Sequence, residues 1–179
     1  MKRPFSLALL TLCLGITSCS NLKQRLQGLD ITGCQDIQWG MTLSQVKTLL
    51  GHKGQIHTDT KSGISVMEIR RTIGGIELNG FVSTESGSST VNGVHLVYTD
   101  QKFLKRAFNV LRRTLIETYG TPAKELAFPS GPLCFWNFAS GNVSLFAIAA
   151  QSDRKGGVAL SYTKTPFVPP FLSQAQPGR

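Results

Sequence analysis

Apolar positions recur along this chain in two rhythms. Leu43, Val46, Leu49 and Leu50 follow a spacing of three and four, behind Thr42 and ahead of Gly51. That spacing predicts a short amphipathic helix over 43–50, with a hydroxyl at its N-cap and a glycine just past its end. A longer helix is predicted over 101–119, where Leu104, Phe108, Leu111 and Leu115 form a stripe and Tyr119-Gly120-Thr121-Pro122 ends it. Elsewhere the rhythm shortens to alternating or continuous apolar runs near 64–72, 75–83 and 91–99, then near 132–139, 142–150 and 156–164. Gly, Ser and Asn clusters separate the runs, and Glu85 to Ser89 reads as a hairpin loop. Each set of three runs reads as an antiparallel meander that follows one helix.

The two sets are similar to each other. Asn92-Gly93-Val94-His95-Leu96-Val97-Tyr98-Thr99 and Gly156-Gly157-Val158-Ala159-Leu160-Ser161-Tyr162-Thr163 agree at five of eight positions, at an offset of 64. The expected fold class is therefore α+β, with tandem duplicated units of a helix plus an antiparallel three-stranded meander, the helices packed on sheet. The units would be residues 34–100 and 101–164. Coincidence among short β-rich words is the competing explanation of the matches. Residues 1–18 read as a leader and 19–33 as a tether. In the tail, 165–179, Pro166, Pro169, Pro170 and Pro177 exclude a central strand.

The leader carries an address. Lys2 and Arg3 precede an apolar stretch from Phe5 to Ile16, which suits a secretory segment and is too short for a permanent bilayer span. It ends Ile16-Thr17-Ser18-Cys19, which resembles the lipobox of bacterial lipoproteins. The resemblance implies that Cys19 is diacylated, that residues 1–18 are removed, and that the new amine is acylated. Several chains anchor a protein firmly where one holds it only marginally. Ser20, in place of Asp, implies sorting to the outer membrane facing the periplasm. A plain signal peptide would instead leave Cys19 an ordinary thiol.

Once Cys13 leaves with the leader and Cys19 is lipidated, Cys34 and Cys134 are the cysteines left. In an oxidising compartment the pair is expected as a disulfide. Closing a loop of that span is worth up to about 4.7 kcal/mol in the chain-entropy model. Two separate buried thiols are the other reading. Neither cysteine has a CxxC partner, so redox catalysis and a zinc site lack support.

Hydrophobic residues make up 41% of the chain and charged residues 16%, which argues against disorder. Nineteen Lys and Arg face ten Asp and Glu, a formal +9, and loss of Lys2 and Arg3 leaves the balance strongly basic. The patterned part of this charge is Lys102, Lys105, Arg106, Arg112 and Arg113, opposite the apolar stripe of the second helix. Such a face is either merely solvated or a docking surface for anionic phospholipid, lipopolysaccharide or an acidic protein. Arg70 and Arg71 could extend it. Nucleic acid is not an expected partner, since no basic–aromatic interleaving of the RNA-binding kind occurs.

Catalytic signals are weak. His52 and His57 lie five apart in a loop, and His95 alternates with Val94 and Leu96 as a residue pointing out of a strand. There is no GxSxG, no P-loop and no dinucleotide fingerprint. The chain is therefore expected to be no enzyme, with no cofactor and no metal. Trp39 and Trp136 are expected to pack in the core.

Trp39-Gly40-Met41-Thr42, Gln45-Val46 and Leu49-Leu50-Gly51 together resemble the signature of the BamE/OmlA (SmpA) lipoproteins, small subunits of the machine that assembles outer-membrane barrels. The same phrase occurs in folds like the β-lactamase inhibitor protein, a tandem-repeat binding module. His52-Lys53 departs from the pattern after the glycine. The resemblance implies a membrane-anchored, non-catalytic protein-binding or assembly module of the envelope. The alternative is a periplasmic inhibitor or ligand-binding lipoprotein that acts on an envelope enzyme or glycan.

Overall fold

The computed structural model describes residues 31–51, 55–128, 131–150 and 155–164. The leader, Cys19, most of the tether and the tail lie outside the described residues. A small two-stranded sheet, β1 (Gly33–Cys34) and β2 (Ile37–Gln38), leads into helix α1 (Leu43–Leu49). Then come β3 (Ile56–Thr58), β4 (Ser65–Ile73), β5 (Ile76–Thr84) and β6 (Val91–Tyr98). A 3₁₀ turn (Gln101–Phe103) opens helix α2 (Leu104–Tyr119), followed by β7 (Lys124–Phe128), β8 (Gly131–Phe138), β9 (Gly141–Ile148) and β10 (Gly157–Thr163).

Both helices form where the spacing places them. Thr42 accepts from the Gln45 backbone while the Gln45 side chain accepts from the Thr42 amide, a reciprocal cap that satisfies donors the first turn cannot. Leu43 and Val46 are buried. In α2, Ala107, Phe108, Leu111 and Leu115 are buried, and Gly120 ends the helix with φ +80°.

The expected pair of helix-plus-three-strand units is overturned. The strands β3 to β10 make a single eight-stranded antiparallel sheet in the order β3-β4-β5-β6-β10-β9-β8-β7, and half of the described residues are strand. Each helix is followed by four strands and not three, the edge strands β3 and β7 being the ones that lack the apolar pattern. Ile56–Thr58 is exposed throughout, and Lys124–Phe128 has exposed and half-buried positions only. The two similar words identified in the sequence are the two central strands, paired with each other from Val158↔Tyr98 to Thr163↔Gly93. Residues 34–100 and 101–164 therefore share one sheet and one core. The expected tether also runs short, since Ile31 is buried and Gly33 begins β1.

Strand pleat divides the core from the opposite face. Met67, Ile69, Leu78, Val82, Val94, Leu96, Val143, Leu145, Val158 and Leu160 join Leu111 and Leu115 of α2 in one buried cluster. Helix α2 packs on β5, β9 and β10, and so bridges the seam between β6 and β10 from one side. The β4–β5 hairpin turns at Gly74-Gly75 with φ +58° and +79°, the two left-handed positions that a tight turn with the right-handed twist of the strands requires. At Gly80 a Cβ would overlap the His95 carbonyl oxygen, so β5 and β6 approach closely only because that side chain is missing. Trp136 is buried and donates its indole N–H to the Gly120 carbonyl at 2.7 Å, pinning the end of α2 to β8. Half-buried Trp39 donates to the Ile31 carbonyl at 3.0 Å and packs against the core.

Candidate functional site

The structure splits the five basic residues that the sequence grouped. Lys102, on the 3₁₀ turn, with Lys105, Arg106 and Arg113 of α2, lines a shallow groove on the outer side of the helix. Phe103, 40% exposed, lies in the same groove, with the Lys102 ammonium 5.2 Å from its ring centroid. Arg113 has Glu117 one turn on at 4.0 Å, a distant contact between two exposed side chains. Among the described residues no ion pair joins Lys102, Lys105 or Arg106. Arg112 does not belong with them. It reaches across to β7, where its guanidinium pairs with Glu125, the main reason its pKa is raised further.

Arg70 and Arg71 do not extend the groove. Successive strand residues point to opposite faces. Arg70 pairs with Glu77 at 3.4 Å and donates to Asn79 at 3.0 Å, whereas Arg71 pairs with Asp36 and donates to Gln35.

Cys34 and Cys134 do not form the expected bridge. Both are buried free thiols, with different neighbours. Burial pushes the Cys34 thiol up to about 12, partly offset by nearby Arg71, and Tyr162 hydrogen-bonds to it. Tyr162 is itself raised well above the ordinary tyrosine value, chiefly by burial. Cys134, on β8 opposite Leu145 and Glu125, is raised first by desolvation and then by the Glu125 charge. Both cysteines suit apolar positions in the sequence, whereas the different groups around them follow from the fold, with Tyr162 beside Cys34 and Glu125 opposite Cys134.

The sequence missed a row that crosses the sheet on the face away from the core. Register places Glu68, Phe81, His95, Ser161, Ser144, Phe135 and Lys124 side by side on β4, β5, β6, β10, β9, β8 and β7. At its centre His95 Nδ1 lies 3.1 Å from Ser161 Oγ, and the Phe81 and His95 rings are 5.0 Å apart. Phe81 is 41% exposed, while Ser144 is fully buried with no hydrogen-bond partner for its hydroxyl among the described residues. His95 was expected to be solvated. It is half-buried instead, because neighbouring strands on both sides crowd it, and desolvation lowers its pKa. The signal for this row was alternation within each strand, but cross-strand register cannot be read from one strand at a time.

Comparisons with protein-family models, with curated proteins and with solved structures returned no match to this chain.

Proposed function

We propose that this chain is a lipid-anchored lipoprotein of the cell envelope, exported and held at the outer membrane facing the periplasm. In this reading it acts without catalysis, as a protein-binding or assembly module. The carrying observation is the junction of apolar run and cysteine at Ile16-Thr17-Ser18-Cys19, set ahead of a domain built as one sheet around one core. On the face opposite the helices Leu133, Phe135, Ser144, Ala159 and Ser161 of β8 to β10 are buried, so the accessible part of that face lies towards its margins. Phe81 and Ile148 are both more than a third exposed on that side, the kind of apolar anchor that interfaces use. Resemblance of the Trp39–Gly51 stretch to the BamE/OmlA signature points in the same direction.

Crosslinking in intact envelopes followed by recovery of the chain tests this reading. Recovery with an envelope protein, lost on Phe81→Glu, supports a docking module. Recovery of the chain alone, with or without the substitution, overturns it. Capture of a single soluble enzyme would favour the inhibitor alternative.

A further inference from the structure

We propose that the outer side of the 3₁₀ turn and the first half of α2 is a contact surface for an anionic phospholipid bilayer. The inference rests on the anchored-lipoprotein reading for proximity to a membrane, and on the groove for its chemistry. Lys102, Phe103, Lys105, Arg106, Val110 and Arg113 line one shallow depression. They recur at spacings of three and four residues, so they form a stripe parallel to the helix axis and opposite the buried Phe108–Leu115 stripe.

The arrangement combines two features of membrane-surface segments. Long cationic side chains surround an exposed apolar ring, so the ring can enter the interface while the charges meet phosphates above it. Three of the cations have no carboxylate pairing among the described residues, so contact with lipid breaks no ion pair there. Bare charge of one sign is costly to cover with an apolar partner and favourable against an anionic surface. Geometry permits the contact. Ile31 receives a hydrogen bond from Ser140, next to Phe138, whose ring packs edge-on against Tyr119 at the far end of α2. The twelve residue steps from Cys19 to Ile31 span at most about 40 Å, more than the length of α2, about 24 Å, so an anchor at Cys19 allows α2 to lie down on the surface.

The test uses the full chain purified from envelopes, carrying Phe103→Trp, mixed with phosphatidylcholine vesicles with or without phosphatidylglycerol and with brominated acyl chains as quencher. The expected result is quenching of the new tryptophan that depends on phosphatidylglycerol and weakens with added salt. Each cation at such a surface strengthens attachment about fivefold, so Lys102→Gln/Lys105→Gln/Arg106→Gln should weaken the anionic component about a hundredfold. Unchanged circular dichroism shows that these exposed substitutions leave the fold intact. Quenching that is equal in both vesicle types, or absent in both, overturns the proposal. Loss of an acidic protein partner on the triple substitution, without any phosphatidylglycerol dependence, also overturns it. The anchor is read separately, by sedimentation with pure phosphatidylcholine vesicles. If the wild type stays in solution there, the anchored reading fails, while recruitment by phosphatidylglycerol can still be scored.

Discussion

Leu160→Ala probes the seam of the sheet. Leu160 is fully buried on β10, paired with Leu96 of β6 on one side and Leu145 of β9 on the other, and it belongs to the same cluster as Leu111 and Leu115. Truncation removes the transfer energy of the lost carbons and leaves a cavity that the two flanking strands cannot close without moving. A loss of about 3–4 kcal/mol is expected at such a site. For a domain of this size that corresponds to a fall in Tm of about 10 °C. The two tryptophans make the assay specific, since Trp39 follows β2 and Trp136 lies on β8. Urea unfolding is followed in Trp39→Phe and Trp136→Phe backgrounds, each leaving one reporter. A single sheet with one core predicts coincident transitions for the two reporters, and the same shift in both when Leu160 is truncated. If the Trp136 signal moved while the Trp39 signal held its midpoint, the halves would unfold separately and the one-core argument would fail.

Four further outcomes follow from the same geometry. Gly80→Ala should destabilise by about 3 kcal/mol, because its Cβ meets the His95 backbone, whereas Gly75→Ala, with open space around it and only a left-handed φ to tolerate, should cost about 1 kcal/mol; thermal melts compare them. Ser144→Ala should raise stability by about 1 kcal/mol, since it removes a buried hydroxyl that lacks a partner among the described residues; a loss of the same size would mean the hydroxyl is bonded. His95 is held neutral by desolvation, with its folded pKa below the unfolded value near 6.5, so the unfolded chain binds the extra proton. Stability from this group is then full above about pH 6.5 and declines as pH falls towards the folded pKa, and His95→Gln should flatten that part of the curve. Alkylation without reductant should label neither Cys34 nor Cys134 in the native protein and both in urea; labelling that needs reductant even in urea would restore the disulfide.

Local signals read well and pairing signals did not. The Thr42 cap, the Leu104–Leu115 stripe and the Gly120 stop each lie within one turn of the feature they specify, and α1 and α2 formed where they pointed. The six long apolar runs are β4, β5, β6, β8, β9 and β10, because burial on the core face leaves an alternating trace. Strands β3 and β7 bury little, so their hydrogen bonds rather than their side chains define them. Self-similarity between the words at 92–99 and 156–163 was visible, but it did not reveal that the two strands pair with each other. That pairing turns two expected sheets into one. In the candidate docking face, the charges were legible, while the diversion of Arg112 to Glu125 and of Arg71 to Asp36 depended on which strands came to lie nearby. The row from Glu68 to Lys124 needed the register of seven strands at once.

Intact-mass and N-terminal peptide spectrometry of the protein purified from envelopes reads the chemical state of Cys19 directly. The anchored-lipoprotein reading predicts a chain beginning at Cys19, with a diacylglyceryl group on its sulfur and an acyl chain on its amine. A chain retaining Met1 to Ser18, or one in which Cys19 is present as a free thiol, would contradict it.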